Sequence, residues 1–380
     1  MMKTRKKIQG LNVEHRLGKA KYQQGFALLF VITIISLLLV LVVELNSRVI
    51  THYMAIDGYF ESKKAYTLAK SGIEIAKTSL KLDSWENDYD YMGDRWALLP
   101  KKITMQNYEG EIELWIEDED RKLNINALMR NSIQNDIGQA EEKQPKTSKN
   151  FSSRPAQKTN EPLHQKQEQG ASPGKSGKEE DVQTATDQKR SNRLHKILTR
   201  LFEVQDINRE LADAVIDWLD PNLEPYEFGA ENDYYQDLFN PYTARNGPIS
   251  TLAELRLIKG VNHDVFNKLK KYITIYSEGL INANTTYPEI LESLSWKISP
   301  FTAEDILAAR SKNPFKSKGD LKKIPGLQDE LVGEVLSYLG VQSNTFLIYS
   351  TGVYGNARET IECVLTRNKD SFIVKRSVWQ

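Results

Sequence analysis

The carboxylates of residues 206–237 are the side chains in this sequence with the clearest potential for chemistry. This stretch contains ten Asp or Glu residues and one Arg. Asp213, Asp217 and Asp220 are four and three positions apart, so a helix would place them on one face, and Pro221 would end that helix. Converging carboxylates with almost no cation nearby repel one another, and a hard divalent ion relieves the repulsion. A solvated acidic face is the alternative. The following loop carries four more carboxylates, Glu224, Glu227, Glu231 and Asp233.

The other reactive side chains do not form a catalytic motif. None of the five histidines has a metal-ligand partner at helical spacing, and the single cysteine, Cys363, lies in a predicted strand without a nearby His. The sequence contains no nucleophile elbow, phosphate loop or zinc motif. One cysteine also excludes an intrachain disulfide. We therefore predict that the protein is not an enzyme.

An apolar segment near the N-terminus is the strongest structural signal. Residues 26–43 carry no charge and would form a helix of about 27 Å, close to the thickness of a bilayer core. Seven Lys or Arg residues and one Glu precede it within the first 25 residues. Positive charge is retained on the cytoplasmic side of a membrane. We predict a single-pass anchor whose C-terminal bulk lies outside the cytoplasm.

The junction before this segment places Gly25 directly ahead of Phe26. It resembles the cleavage site of type IV prepilins and pseudopilins. The resemblance implies that a prepilin peptidase cuts between Gly25 and Phe26 and methylates the new N-terminal Phe26. Most of these subunits have a Glu five residues into the mature chain, where this sequence has Phe30. An ordinary signal anchor without cleavage is the alternative.

The same helix is predicted to continue to about residue 80. Apolar residues follow at spacings of three, four and seven, which place one stripe along a helix. The first half would lie in lipid and the second would pack against a globular head; an anchor followed by an unrelated helix is the alternative. The stripe consists of Ile56, Tyr59, Tyr66, Ala69, Ile73, Ala76 and Leu80.

The head is predicted to form from two separated pieces of chain. Residues 111–117 alternate apolar and acidic side chains, which indicates a half-buried strand with residues 103–108 as its hairpin partner. Residues 118–126 follow as a turn held by side chain to backbone bonds. Three C-terminal strands cannot easily form a stable domain alone, so we expect them to join this hairpin and the long helix. They lie at residues 346–349, 360–365 and 372–376.

A predominantly helical domain is predicted to interrupt this head. It contains two segments that resemble helix-hairpin-helix modules, around Gly260 and Gly326, with a helix opening at residues 281–286 between them. Such modules can bind DNA through a Gly-x-Gly turn, but both copies lack the second Gly. Residues 252–340 have a net charge of only one, whereas phosphate contacts normally bring a basic surplus. Nucleic-acid binding is therefore the disfavoured alternative.

The order of these features resembles the K-type minor pseudopilins of type II secretion, the general secretion pathway protein K family. The resemblance rests on Gly25-Phe26, Phe30, the divided head, the helical insertion and a Gly229-Ala230-Glu231 loop. It implies an α+β fold in which a pilin-like head is interrupted by an inserted helical domain. The predicted division is a leader at 1–25, a long helix at 26–80, the first part of the head at 81–130, a disordered segment at 131–192, the insertion at 193–342 and the last strands at 343–380.

This resemblance also implies a function. It places a minor pseudopilin at the tip of a secretion fibre, anchored in the inner membrane with its C-terminal domain in the periplasm. The expected partners are other minor pseudopilins, packed through the stripe of the long helix, the prepilin peptidase and possible secreted cargo. K-type pseudopilins bind calcium, and the implied ligands here are Asp217, Asp220 and Glu231. A minor pilin of a type IV surface pilus and a membrane-anchored DNA receptor are the alternatives.

Overall fold

The long helix predicted from the apolar segment is the first element of the computed structural model. The helix α1 spans Lys7–Glu86, so it begins before Gly25 and ends six residues beyond the predicted limit. The structure describes residues 7–104, 109–129, 193–325, 327, 332–368 and 371–379, with side chains from residue 26 onward except that of Val332. The predicted disordered segment at 131–192 lies outside these residues.

A five-stranded antiparallel sheet forms the head, and it combines both predicted pieces of chain. Its strand order is β1-β2-β7-β8-β9, so a strand from the first piece lies beside a strand from the last. Ile116 of β2 is opposite Ile348 of β7, which confirms the discontinuous head. The strands are β1 (Lys102–Thr104), β2 (Glu111–Asp118), β7 (Thr345–Tyr354), β8 (Ala357–Asn368) and β9 (Ser371–Trp379).

The second half of α1 packs on this sheet through small and branched side chains. Ala69, Ile73, Ala76 and Leu80 are buried, together with apolar residues of β2, β7 and β8. The earlier part of the predicted stripe does not pack: Ile56 and Tyr59 are 53% and 59% exposed, because the sheet does not reach that far toward the N-terminus. The predicted stripe is therefore buried against the sheet from Ala69 to Leu80 and exposed at Ile56 and Tyr59.

The inserted domain has its own apolar core. Its described residues run from Leu194 to Leu339, and Leu123, Ile125 and Leu128 from the end of the head's first piece join them. Trp218 and Tyr235 are fully buried aromatic side chains of this core. Its helices are α2 (193–204), α3 (Leu211–Leu219), α4 (Asn232–Gln236), α5 (His263–Leu269), α6 (Pro288–Leu294), α7 (Pro300–Lys312), α8 (Lys318–Leu321) and α9 (Val332–Tyr338).

Two local predictions in this domain are wrong. The first hairpin-like segment, whose residues 250–255 have the pattern of a capping box, forms a 3-10 helix at Leu252–Leu257 instead of an α-helix. Only one half of the box forms, in which Glu254 accepts a hydrogen bond from Ser250 N–H at 3.1 Å. The segment from Ile281 begins as a short strand, and its helix starts only at Pro288. Proline suits the first turn of a helix because its missing N–H is not needed there.

Two short parallel strand pairs tie the insertion to its neighbours. Strand β3 (Leu123–Asn124) pairs with β4 (Ile273–Thr274), and β5 (Ile281–Asn282) pairs with β6 (Leu339–Gly340). The first pair joins the end of the head's first piece to the insertion. The second pair places Leu339–Gly340, at the end of the insertion, beside Ile281–Asn282 in its middle. The chain then continues from Gly340 into β7.

Buried carboxylates complete this junction between the head and the insertion. Asp118 Oδ2 accepts hydrogen bonds from Ser343 Oγ at 2.7 Å and from Thr285 Oγ1 at 2.5 Å. Asp120 Oδ2 accepts from the backbone N–H groups of Asn344 and Thr345 at 2.5 and 2.8 Å. The turn predicted at residues 118–126 forms only at Glu119–Arg121, as a 3-10 helix whose N-cap Asp118 accepts a hydrogen bond from Asp120 N–H, because residues 123–124 form β3. Asp118 and Asp120 also hold the chain that leaves the insertion.

Candidate functional site

The acidic helix of the insertion forms as predicted. The helix α3 ends at Leu219, and Asp220 adopts an extended conformation directly before Pro221. Asp213, Asp217 and Asp220 are all buried, and the face they share is covered by the loop that follows. Of the four loop carboxylates, Glu231 is buried, whereas Glu224, Glu227 and Asp233 are exposed.

Asp217 shapes the loop by accepting hydrogen bonds from its backbone. Tyr226 N–H lies 3.2 Å from each carboxylate oxygen, and Ala230 N–H donates to Oδ2 at 2.8 Å. The close approach requires a glycine between them, because a Cβ on Gly229 would lie 1.7 Å from Asp217 Oδ2. Gly229 is therefore required in this loop because the backbone passes close to the Asp217 carboxylate.

Asp213 faces the same loop but is committed to other contacts. It accepts a hydrogen bond from His195 Nε2 at 2.6 Å and another from Phe228 N–H at 3.1 Å. The imidazole of His195 stacks on Tyr226, with ring centroids 5.2 Å apart. These contacts hold α2, α3 and the loop together and leave Asp213 outside the implied ligand set.

Glu231 is the side chain that points to a ligand. It is 6% exposed, and neither carboxylate oxygen has a hydrogen-bond partner. Burial, then repulsion from Asp217 and Asp220, raises its pKa to about 7. Burial also raises the pKa of Asp217 to about 6, although two backbone donors oppose the rise. A buried polar group without a partner costs free energy, and a cation bound here would offset that cost.

The three implied ligands suit a hard cation in donor chemistry. All are carboxylates, the donor class that calcium prefers. The described residues contain one set of three carboxylates with oxygen atoms all within 4.8 Å of one another, and it is Asp83, Asp90 and Asp94, not this trio. Binding one ion through Asp217, Asp220 and Glu231 would thus draw their oxygens together.

The hairpin around Gly260 contributes a lysine to this loop. Lys259 Nζ donates to the carbonyl oxygens of Phe228 and Gly229 at 3.2 and 2.8 Å. Gly260 has φ +82°, the left-handed conformation that favours glycine, and α5 follows with Asn262 as its N-cap. The second hairpin-like segment lies partly outside the described residues.

The apolar segment at residues 26–43 is exposed in the structure. In the described part of the protein, one helix is long and apolar enough to cross a membrane, and its most apolar portion makes no buried contact with the head. Phe26 and Phe30 are 76% and 59% exposed. The backbone of Gly25 lies within the continuous helix α1, and cleavage at Gly25–Phe26 stays a prediction.

The aromatic residues of the acidic loop divide into two groups. Trp218 and Tyr235 are buried and stack edge to face with centroids 5.1 Å apart, as expected for core residues. Phe228 and Tyr234 are 45% and 41% exposed, and Tyr234 packs edge to face on Tyr235 with ring centroids 5.2 Å apart.

Sequence reasoning missed the buried carboxylates outside the insertion. Asp83, Asp90 and Asp94 follow no recognised spacing, since one lies on α1 and two lie in the irregular loop after it. Asp118 and Asp120 were identified only as turn residues. Their partners, such as Ser343 and Thr285, are more than 150 positions away, so no local pattern could have revealed them.

Comparison with known families identifies the chain. Residues 121–278 and 281–342 match two models described as "Type II secretion system (T2SS), protein K". Together these matches cover the end of the head's first piece and almost all of the insertion, including the acidic helix and its loop.

Curated relatives match along nearly the whole chain. Type II secretion system protein K of Pseudomonas aeruginosa is 24% identical over 361 residues, covering 92% of this chain and 91% of the relative. The protein K of Klebsiella pneumoniae is 23% identical, covering 93% and 96%. That of Aeromonas hydrophila is 24% identical, covering 94% and 97%.

A solved structure has the same fold. The match is to a chain in the crystal structure of the GspK-GspI-GspJ complex from the type 2 secretion system of enterotoxigenic Escherichia coli. It has a TM-score of 0.56 and 18% identity and covers 88% of this chain and 99% of that chain. The predicted mixed fold, with a long apolar helix and an antiparallel sheet, is thereby confirmed. The chain belongs to the type II secretion system protein K family, the K-type minor pseudopilins.

Proposed function

We propose that this minor pseudopilin caps the tip of the secretion fibre and helps to start its assembly. The observation that carries the proposal is the place where the insertion joins α1. The loop after α1 bonds to the insertion on both sides: Asp90 N–H donates to Val341 O at 2.9 Å, and Asn282 Nδ2 donates to Asp90 O at 3.0 Å. The bulk of the insertion therefore sits at the end of α1 that is farthest from the membrane segment.

This position would block further growth of the fibre above the subunit. Pilin-like subunits would stack by aligning their long helices, and a domain fixed beyond the helix end would collide with the next subunit. Phe30 also supports a position at the fibre tip, because it offers no carboxylate inside the membrane to pair with the N-terminal amine of a neighbouring subunit. Both features suit a subunit that has neighbours below and none above.

Other minor pseudopilins are the proposed partners, and α1 is the proposed contact. Below the head, α1 exposes Ile56 and Tyr59 of the stripe and the nearby Tyr53 and Phe60. The residues from Ala69 to Leu80 cannot serve this purpose, since the sheet already covers them. The related chain was crystallised with GspI and GspJ, which supports the I-type and J-type subunits as partners.

A tag on the fibre tests the tip position. A tag inserted into the predicted disordered segment at residues 131–192 should label assembled fibres once, at one end, when seen by immunogold electron microscopy. The same tag on the major pseudopilin is the control and should label fibres along their length. Label distributed along the fibre by the tagged K-type subunit would contradict a tip position.

Processing at Gly25–Phe26 is proposed together with residence in the inner membrane, with the head in the periplasm. The mature chain would begin at a methylated Phe26, whose helix remains apolar and uncharged through residue 43. Mass spectrometry of the N-terminus, with and without the prepilin peptidase, measures this directly. An intact Met1 in the presence of the peptidase would rule out processing.

We propose that Asp217, Asp220 and Glu231 bind a calcium ion. The two partnerless oxygens of Glu231 support the proposal, and calcium would neutralise the charge that these carboxylates concentrate in the core. Because calcium would bind only the folded chain, it should stabilise the protein by about 2.7 kcal/mol at 100 times its Kd.

The variant Glu231→Gln should lose most of this calcium-dependent stabilisation, as measured by urea unfolding in calcium and in EDTA. Glu227→Gln is the matched control, because Glu227 lies in the same loop and is exposed. Equal responses of both variants to calcium would remove Glu231 from the ligand set.

A further inference from the structure

A second group of carboxylates is buried where α1 ends. Asp83 lies on the last turns of α1, and Asp90 and Asp94 lie in the loop that follows. Each is at most 4% exposed, and one oxygen atom from each lies within 4.8 Å of the other two. Oxygen atoms around one calcium ion have this spacing, since each would be about 2.4 Å from the ion.

Among the described residues, one cation accompanies the three carboxylates, and of the three only Asp90 is hydrogen-bonded to it. Arg367 on β8 donates through Nη2 to both oxygens of Asp90 at 2.8 and 2.6 Å and to Ser343 O at 2.6 Å. Its Nη1 lies 3.7 Å from Asp83 Oδ2, too far for a hydrogen bond. With all groups ionised, two negative charges stay uncompensated inside the protein, which equals the charge of a divalent cation.

Asp83 supplies the independent sign of a missing ligand. Its side chain is 2% exposed, its Oδ2 accepts no hydrogen bond, and one oxygen of the same carboxylate lies within 4.8 Å of the two other carboxylates. Asp94, in contrast, already accepts a hydrogen bond from Tyr91 N–H at 2.7 Å. Buried polar atoms are nearly always partnered, so an orphan oxygen inside an acidic cluster calls for an explanation.

We propose that Asp83, Asp90 and Asp94 bind a divalent cation of the calcium class at the end of α1. Their oxygen-only donors favour calcium or magnesium over transition metals. The burial of all three favours calcium, because magnesium keeps several of its waters. This site is separate from the proposed site in the insertion and shares no residue with it.

The bound ion would fix the membrane helix to the rest of the protein. Asp83 belongs to α1, and Asp90 bonds to Val341 and Asn282 of the insertion and, through Arg367, to the sheet. An ion between them would join helix, head and insertion at one point. The ion would therefore stiffen the connection through which the insertion is held beyond the helix end.

A proton is the other species that can relieve the repulsion. Burial, then repulsion from Asp94 and Asp90, raises the pKa of Asp83 to about 8. A proton on Asp83 would leave the cluster without affinity for calcium, so direct binding measurements separate the two explanations.

The test counts calcium ions bound by the full chain in detergent, using calcium chloride alone at pH 7.5. Asp83→Asn should bind one calcium fewer per chain than the wild type in equilibrium dialysis. Asp88→Asn, an exposed position in the same loop, is the control and should keep the wild-type number. Asp83→Asn removes a charge without changing shape, and its melting temperature in EDTA verifies that it folds.

Two results would overturn the proposal. One is an unchanged calcium count in Asp83→Asn; the other is a wild-type melting temperature at the fixed pH whose response to calcium equals that of Asp83→Asn. Glu231→Gln, measured in parallel, reports on the insertion site alone. Loss of binding in Glu231→Gln with none in Asp83→Asn would keep that site and reject this one, and the reverse result would do the opposite.

Discussion

At the scale of single residues, the acidic loop shows why a glycine and a carboxylate must occur together. Asp217 accepts hydrogen bonds from Tyr226 and Ala230, so the backbone between them passes directly over its side chain. Only a residue without a Cβ fits at position 229. The local sequence therefore encodes a packing constraint next to a proposed ligand.

Gly229→Ala should destabilise the protein by about 1–3 kcal/mol, the usual cost of forcing an extra carbon into a packed site. The added Cβ would meet Asp217 Oδ2, which cannot retreat without breaking its hydrogen bonds to the loop. Urea unfolding in EDTA measures the effect apart from any calcium.

Gly247→Ala is the control, because the nearest atom to its Cβ would be 3.8 Å away, an ordinary contact. Equal free energies of unfolding for the two variants would mean that the loop relaxes around Asp217 and that the close fit is not required.

At the scale of elements, the contact between α1 and β7 is set by backbone proximity. A Cβ on Gly352 of β7 would lie 1.9 Å from Ala65 O and 2.7 Å from Ala69 N, both on the helix backbone. A Cβ on Gly72 of α1 would meet side chains instead, with Ser350 Oγ at 2.0 Å and Ile112 Cγ2 at 2.8 Å. A side chain can rotate away, whereas two backbones can separate only by moving whole elements.

Gly352→Ala should therefore lower the free energy of unfolding by at least about 2 kcal/mol, because it pushes the helix off the sheet. Gly72→Ala should cost less, since its added Cβ meets only side-chain atoms of Ser350 and Ile112, which can shift without moving a whole element. Urea unfolding of the full chain in detergent compares the two variants.

Gly58→Ala serves as the reference for a glycine in an exposed part of α1. No atom lies within 4 Å of its added Cβ, so the substitution should stabilise the helix by about 0.5–1 kcal/mol. If Gly352→Ala were as stable as Gly58→Ala, the helix would not be held against β7 as described.

At the scale of the whole molecule, buried carboxylates join the three parts of the protein. Asp118 belongs to the head and holds Ser343 and Thr285 of the insertion and its exit. Burial raises the pKa of Asp118 to about 6, against the effect of those two hydroxyl donors. Burial, then repulsion from Asp118, also raises the pKa of Asp120.

This junction should make the protein less stable as the pH rises from about 4 to 6. The folded chain holds the proton of Asp118 more tightly than the unfolded chain, whose Asp pKa is near 3.8. The resulting stability is present below pH 4 and is lost as the pH passes through 6. Its size is at most about 3 kcal/mol, at 1.36 kcal/mol per pKa unit.

Asp118→Asn should flatten that part of the stability profile, as measured by urea unfolding in EDTA at pH 4, 5, 6 and 7. The amide has a similar shape and no titrating proton, so the difference between the two profiles isolates Asp118. Parallel profiles for the variant and the wild type would contradict this origin of the pH dependence.

The sequence by itself determined the features that depend on local order. Uncharged residues 26–43 specified a helix long enough to cross a membrane, and alternation at 111–117 specified a strand. The spacing of Asp213 and Asp217 specified one acidic helix face, which the structure confirms, whereas Asp220 lies just past the end of the helix. These outcomes follow from helix and strand periods, which neighbouring residues can express alone.

Only the tertiary structure decided what those elements touch. The sheet covers α1 from Ala69 to Leu80 and leaves Ile56 and Tyr59 exposed, although one stripe contains them all. Asp83, Asp90, Asp94 and Arg367 meet in one buried cluster, although 284 positions separate the first from the last. Burial and charge balance arise when distant segments exclude water together, so no local pattern along the chain records them.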